Sequence, residues 1–405
     1  MKVMYFAFEG FDNPNGSNHL AITMIDYLLN EGIQVHLLTS HTKGIDPDIP
    51  EILENRAGFS YDIVPRKVVN KQNFVQRYLD GIKYAFNCKK KWKCKCNELD
   101  AIILQSTPTV FFSSMLLKRH FKKPVIFNSF DVFPNVAYDT GAMTNKFVFK
   151  VLQWLQKHVY KNSSRILVIS SDMQNNLIKQ GVPKEKITEV RNWYDDKCVK
   201  VVMKEDNLFM KKYNISSDYF YVQYAGNFGF TFNYRYVLDV AELLKDNQYI
   251  RFQMIGNGAF EESFKREASE RNICNVDFYP WQSAEIISDV YSSCDISLIP
   301  LSTGVINNSF PSKGSILMAC GKVILCATES SSDYYRMIND NNVGRCVSNR
   351  NPQEAAVAIR ELYENRDMMV EIGENAQKFG AEYYSSSVNL PILKRVLEEC
   401  CQTKC

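Results

Sequence analysis

Short, apolar, β-branched runs alternate with helical stretches along most of the 405-residue chain. Most of the runs are continuously apolar, as expected for parallel strands that are covered on both faces. Strand–helix alternation on this scale predicts an α/β fold with open parallel sheets of Rossmann type. The predicted strands cover residues 2–8, 33–40, 101–105, 124–128, 165–170, 219–226, 250–256, 295–300 and 322–327.

The alternation is interrupted once, by a polar and irregular stretch at residues 195–218. A strand-like run precedes this stretch and another follows it, so each half reads as a complete α/β unit. We therefore predict a domain over 1–195, a linker over 196–216, a second domain over 217–380 and a final helical segment over 381–405. Two Rossmann halves with a cleft between them bind ligands at the carboxyl ends of their strands.

The composition of the chain excludes several classes of protein. The chain is 45% hydrophobic and 23% charged, which is typical of a folded protein and excludes disordered and fibrous classes. No apolar run is long enough for a membrane-spanning helix, and the first residues do not form a signal peptide. The twelve cysteines are therefore expected to be reduced in the cytoplasm, and their spacing does not indicate a zinc site.

Positive charge is concentrated in residues 66–95, where ten Lys and Arg face a single acid, Asp80. This segment carries +9, so with a net charge of +3 the rest of the chain carries −6. One interpretation is an interfacial helix on an anionic membrane, with Trp92 near the headgroups. The alternative is a helix packed on the first domain with a solvated basic end. The interfacial interpretation uses an apolar face at Phe74, Tyr78, Ile82 and Phe86.

Glycine-rich loops follow several predicted strands. Glycine lets a backbone approach a ligand, and a helix N-terminus attracts an anion, so these loops predict a phosphate-bearing ligand. Lys313 lies at a predicted helix start, where its ammonium and the helix amides can converge on one anion. The alternative for each loop is a plain turn. The four loops are EGFDNPNGSNH (9–19), AGNFGF (225–230), IGNGAF (255–260) and TGVINNSFPSKGS (303–315).

Several segments, in this order, resemble retaining glycosyltransferase family four, of the GT-B type. The resemblance is to bacterial members that build capsule, exopolysaccharide or O-antigen. It implies two Rossmann-like domains that face each other across a cleft, and a C-terminal helix that packs back on the N-terminal domain. The segments include FNSFDVFPNVAYDTG (127–141), FYVQYAGNFG (220–229), IRFQMIGNGAFEESFKREA (250–268) and FPSKGSILMACGKVILCA (310–327).

The chain departs from this family at positions that matter for donor binding. Asn227 and Phe232 stand where relatives carry an Arg and a Lys for the diphosphate. Asn308 and Ile316 stand where relatives carry two glutamates. We therefore predict that Lys313 meets the diphosphate and that Asn308 hydrogen-bonds a sugar hydroxyl.

The predicted catalytic residues are Asp131, Asn308 and Lys313, where Asp131 would orient or deprotonate the acceptor hydroxyl unless it only caps its loop. The predicted acceptor-side residues are Gly16, Ser17 and His19. No metal ligands and no cofactor are predicted. The predicted donor-binding residues are Gly226, Asn227, Gly229, Arg235, Gly256, Trp281, Ser312 and Lys313.

The resemblance implies transfer of a hexosyl or N-acetylhexosaminyl unit from a nucleotide sugar, expected to be UDP-linked. The expected acceptor is a polyprenyl-diphosphate-linked glycan in surface polysaccharide synthesis. The protein would then be cytoplasmic and peripheral on the inner face of the cell membrane. Alternatives are a degenerate GT-B subunit that only binds nucleotide sugar, or a nucleotide-sugar 2-epimerase. Nucleic-acid binding is disfavoured because only Trp92 interrupts the lysine run.

Overall fold

Two parallel β-sheets organise the computed structural model, which describes residues 1–11, 18–42, 49–66 and 74–402. Contacts divide the chain into two units. The first contains residues 1–138, 144–191 and 389–405, and the second contains residues 139–143 and 192–388. Residues of the predicted linker lie within the second unit, where Phe209 is fully buried. The second unit also takes the short segment 139–143 from the middle of the first half.

The first unit is built on a seven-stranded parallel sheet in the order β3-β2-β1-β4-β5-β6-β7. Its strands are β1 (Lys2–Phe6), β2 (Gln34–Thr42), β3 (Phe59–Arg66), β4 (Ala101–Gln105), β5 (Val125–Ser129), β6 (Arg165–Val168) and β7 (Ile187–Glu189). Its helices are α1 (Asn18–Asn30), α2 (Phe74–Lys93), α3 (Val110–His120), α4 (Asn135–Asp139), α5 (Lys146–Asn162) and α6 (Ser171–Lys179).

The second unit is built on a six-stranded parallel sheet in the order β10-β9-β8-β11-β12-β13. Its strands are β8 (Phe220–Asn227), β9 (Ile250–Asn257), β10 (Val276–Tyr279), β11 (Ile296–Pro300), β12 (Val323–Thr328) and β13 (Gly344–Ser348). Its helices are α7 (Leu208–Tyr213), α8 (Tyr234–Leu243), α9 (Glu261–Glu270), α10 (Ile287–Ser292), α11 (Lys313–Ala319), α12 (Asp333–Asp340), α13 (Pro352–Glu364) and α14 (Arg366–Tyr383). A last helix, α15 (Ser386–Gln402), ends the described chain.

Local sequence explains where several helices begin and end. Asn145 accepts hydrogen bonds from Phe147 and Val148 and so caps α5, while Asn233 caps α8 in the same way. Gly32 has a φ of +72°, the left-handed conformation expected of a glycine that terminates a helix such as α1. From residue 389 onward α15 belongs to the first unit, where the Lys394 ammonium contacts the Glu31 carboxylate at 2.7 Å.

The buried face of α2 differs from the interfacial interpretation. Tyr84, Cys88 and Trp92 are buried, and Trp92 is only 1% exposed. Phe86, assigned above to the apolar face, is 53% exposed. The interfacial position of Trp92 is therefore wrong, because its indole packs inside the first unit and lies 6.4 Å from the His120 ring.

Candidate functional site

Lys313 opens α11, and its side chain reaches the carboxyl end of β8. The ammonium lies 3.6 Å from the centre of the Tyr224 ring. It would lie 3.1 Å from a β-carbon placed on Gly226. Among the residues that the structure describes, Lys313 has no hydrogen-bond acceptor and no ion-pair partner. A cation without an anion, held against glycine backbone at a strand end, is the arrangement expected of an anion-binding site.

The surroundings of Lys313 change its titration. Burial lowers the pKa of Lys313 to about 7, and interaction with the Cys326 thiol opposes this shift only in part. Removing an ammonium from water without a counter-ion favours the neutral amine. We call the place where the Lys313 ammonium lies against the Tyr224 ring and Gly226 the recess. An anion bound there would favour the charged form of Lys313, so the recess suits a negatively charged ligand.

The two glycine loops beside Lys313 pack directly against each other. Gly226 and Gly256 lie at the ends of the paired strands β8 and β9. The backbone of Phe228 donates to the Asn257 carbonyl at 2.8 Å. Gly256 has a φ of +140°, and a β-carbon placed on it would lie 1.9 Å from the Gly226 carbonyl oxygen. Only glycine fits there, so the loops can hold their backbones close together at the strand ends.

We expect Gly256→Ala to destabilise the second unit by about 3 kcal/mol or more, because its β-carbon collides with backbone and its φ is strained. Gly32→Ala is the matched control, since Gly32 also has positive φ but no atom within 4 Å of its β-carbon position. That control should cost only about 1–2 kcal/mol. Urea unfolding measures both, and equal losses in the two variants would contradict the packing argument.

Other predicted donor-binding residues separate into two groups. Asn227, Gly229 and Ser312 lie on the same loops as the recess, and Ser312 directly precedes Lys313 at the start of α11. Arg235 is 69% exposed at its side chain, and its guanidinium contacts Glu267 at 3.1 Å. Trp281 is half-buried and lies two residues beyond β10.

Asn308 is 1% exposed and performs a structural task. Its amide nitrogen donates to the Asp139 carboxylate at 2.6 Å and to the Gly304 carbonyl at 3.0 Å. Both amide hydrogens are therefore donated to protein acceptors. Burial raises the pKa of Asp139, the hydrogen bond from Asn308 lowers it, and the nearby Glu329 raises it again. Ile316, the other position without a glutamate, is buried at 6% exposure.

Glu329 was not identified from the sequence, although it directly follows the carboxyl end of β12. Its carboxylate accepts from the Gly304 backbone at 2.6 Å and from the Asn349 amide at 3.2 Å. Glu329 thereby anchors the loop that carries Asn308. An acid immediately after a buried strand was the available signal.

The first unit holds the predicted acceptor-side residues. Asp131 lies two residues beyond β5, and its backbone nitrogen donates to the Ser106 hydroxyl at 3.4 Å. His19 lies half-buried in the first turn of α1. Gly16 and Ser17 lie outside the described residues.

The described residues contain neither a disulfide bond nor a cluster of metal ligands. The eleven cysteines of the described residues are all free thiols, and Cys294 and Cys326 are completely buried. The same residues contain no group of three or more His, Cys, Asp or Glu side chains that could hold a metal ion.

Comparison with known families identifies the class. The family described as glycosyl transferases group 1 matches residues 205–379. The family described as Glycosyltransferase Family 4 matches residues 14–197. The two matches cover the greater part of both units, so the chain belongs to the family-four glycosyltransferases.

Individual relatives agree with this assignment. The chain is 26% identical to the probable glycosyltransferase WbjE of Pseudomonas aeruginosa over 305 residues, 73% of this chain and 74% of that protein. Sucrose-phosphate synthase of Thermosynechococcus elongatus has a TM-score of 0.79 at 13% identity, with all of both chains covered. HepE of Anabaena, solved with UDP-glucose, has a TM-score of 0.72 at 14% identity, also over both whole chains. These structures show that the fold is GT-B.

Proposed function

We propose that this glycosyltransferase moves a hexosyl or N-acetylhexosaminyl unit from a UDP-sugar to a polyprenyl-diphosphate-linked glycan, with retention of configuration. The observation that carries the proposal is the Lys313 ammonium, which has no anionic partner in the described structure and lies at the glycine loops of β8 and β9. The UDP-glucose complex of HepE supports a uridine donor. A role in surface polysaccharide synthesis is supported by the resemblance to WaaG, a glycosyltransferase of lipopolysaccharide biosynthesis, which has a TM-score of 0.69 at 13% identity.

The proposed sugar transfer requires stabilisation of a developing negative charge. When the bond between the sugar and the diphosphate breaks, negative charge grows on the departing nucleotide. Lys313 and the backbone amides at the start of α11 would stabilise that charge without a metal ion. In the first unit, Asp131 would orient the acceptor hydroxyl or take its proton.

Donor binding tests the proposal. UDP should bind more tightly than GDP or dTDP in calorimetric titrations. Lys313→Ala should weaken UDP binding at least about tenfold, because it removes a charge-assisted contact of roughly 1.5–3 kcal/mol.

Lys322→Ala is the matched control, since Lys322 follows the opposite end of α11. Unchanged UDP affinity in Lys313→Ala, or an equal loss in Lys322→Ala, would remove Lys313 from the donor site. A preference for GDP or dTDP would reject the uridine donor but leave the anion site intact.

The proposed acceptor also sets where the protein works. A polyprenyl-diphosphate glycan is held in the cell membrane, so the enzyme must reach its cytoplasmic face. The described helices include none that is long and apolar enough to cross a bilayer. Because the proposed acceptor is held in the membrane, we propose peripheral attachment to anionic lipid.

A further inference from the structure

Helix α5 carries a stripe of exposed apolar side chains. Phe147 is 77% exposed, Val151 40% and Trp154 59%. Their spacing of four and three residues places them on one face of the helix. The opposite face packs inside the first unit through Leu152 and Val159. Single exposed apolar residues are common, but an aligned stripe on one helix marks a binding surface.

The stripe is surrounded by positive charge. Helix α5 has the sequence KFVFKVLQWLQKHVYKN, which contains four lysines and no acid. All four lysines are exposed, and none forms an ion pair with a described residue. The lysines are Lys146, Lys150, Lys157 and Lys161.

Neighbouring helices extend this surface. In a Rossmann sheet, right-handed crossovers that progress in the same direction place their helices on the same face, which here applies to α2, α3 and α5. Helix α3 packs between α2 and α5. It has no acid, its Met115 is 54% exposed, and its last turn contains Lys118, Arg119 and His120. The apolar stripe therefore lies within a broader basic surface.

We propose that the stripe of Phe147, Val151 and Trp154 inserts into an anionic lipid bilayer, with α5 lying in the plane of the headgroups. An apolar face flanked by lysines, with a tryptophan, is the pattern of an interfacial helix. A second copy of the chain is disfavoured because it would place four lysines against four others. The inference shares the lipid-linked acceptor with the proposed function, but lipid binding is measured independently of sugar transfer.

The basic end of α2 is a poorer candidate for the same role. Trp92 is buried. The Lys91 and Lys95 ammonium groups lie 3.3 Å and 3.7 Å from the Asp62 carboxylate, which offsets part of their charge. On these observations, α5 is a better candidate than α2 for the helix that contacts lipid.

Trp154 provides a direct probe, since it is the exposed one of the four tryptophans: Trp92 and Trp193 are buried at 1% and 3% exposure, and Trp281 is half-buried in the second unit. Vesicles that contain phosphatidylglycerol should shift the tryptophan emission to shorter wavelength, and lipids brominated in their acyl chains should quench it. Vesicles of phosphatidylcholine alone should have little effect. Trp154→Phe should remove most of the shift while vesicles still bind in a sedimentation assay.

Two variants test the apolar and basic parts of the stripe. Phe147→Ser with Val151→Ser should lower vesicle affinity at least about tenfold. Replacing the four lysines of α5 by Gln should lower it at least about 100-fold, since each lysine near anionic lipid contributes about fivefold. The matched control replaces two exposed lysines of α2, Lys90 and Lys93, by Gln and should have a smaller effect.

All variants should keep the wild-type UDP affinity and melting temperature, because the replaced side chains are exposed and lie outside the donor site. Loss of vesicle binding with intact UDP binding supports the inference. Vesicle binding that depends on the α2 lysines and not on α5 would overturn it. So would α5-dependent dimerisation, or α5-dependent binding of an RNA oligonucleotide, without vesicle binding.

Discussion

Lys313→Met should make the folded protein more stable at pH 7 while it weakens donor binding at least about tenfold. The folded structure lowers the pKa of Lys313 to about 7, whereas an unfolded chain leaves it near the ordinary value of 10.5. Each unit of such a shift corresponds to about 1.4 kcal/mol, and partial solvent access in the recess reduces its effect. We expect a gain of about 1–3 kcal/mol from urea unfolding at pH 7.

The pH dependence distinguishes this effect from better packing. Between pH 7 and 10.5 the unfolded protein binds more protons than the folded one at this site, so wild-type stability rises with pH. The advantage of Lys313→Met should therefore shrink as the pH rises and disappear near the ordinary lysine pKa. A difference that does not change with pH would contradict the titration argument.

The affinity of the wild-type protein for UDP should fall as the pH rises, whereas its stability increases. A diphosphate prefers the ammonium form, so the amine must take up a proton on binding above pH 7. The dissociation constant for UDP should increase about fivefold between pH 7 and pH 8. Calorimetry in buffers of different ionisation enthalpy would measure the proton uptake directly.

Much of the fold could be predicted from the sequence because buried parallel strands are continuously apolar. The predicted strands at residues 101–105 and 250–256 appear as β4 (Ala101–Gln105) and β9 (Ile250–Asn257). Strands β3 and β10 were missed, since FSYDIVPR and VDFY lie at sheet edges, where polar residues are tolerated. Strand β13, GRCVS, is also an edge strand.

The orientation of α2 could not be predicted, because its sequence is apolar on more than one face. The set that ends at Phe86 and the set of Tyr84, Cys88 and Trp92 each recur every four residues, so both have the period of a helical face. Only packing on the sheet decides which set is buried. The aligned stripe of α5 was overlooked because aromatic and lysine residues at these spacings also occur in packed helices.

The candidate site was predictable where it depends on local sequence. Glycine loops and a lysine at a helix start can be recognised in one segment, and the structure brings Lys313 to Gly226. The contact between Asn308 and Asp139 joins residues 169 positions apart. No local sequence pattern predicts a contact between residues so far apart, so the structural role of Asn308 could be recognised only from the structure.

Asn308→Asp should destabilise the protein by about 2–4 kcal/mol at pH 7. It replaces a buried donor with a second carboxylate where the amide lies 2.6 Å from Asp139. Burial, together with the nearby Glu329, already raises the pKa of Asp139. Two carboxylates this close cannot both ionise, so the folded variant holds a proton that the unfolded chain releases. Its stability should therefore recover as the pH falls, which urea unfolding across pH measures.

A reciprocal exchange provides the control for this pair. Asp139→Asn combined with Asn308→Asp restores one amide donor and one carboxylate acceptor at the same contact, although the Gly304 carbonyl loses its donor. The double variant should regain about half of the lost stability, and its pH dependence should resemble that of the wild type. If Asn308 instead serves only the donor sugar, Asn308→Asp should leave stability unchanged at every pH and alter only the KM for the donor. The amide suits this position because the Asp139 carboxylate already lies there and accepts its hydrogen bond.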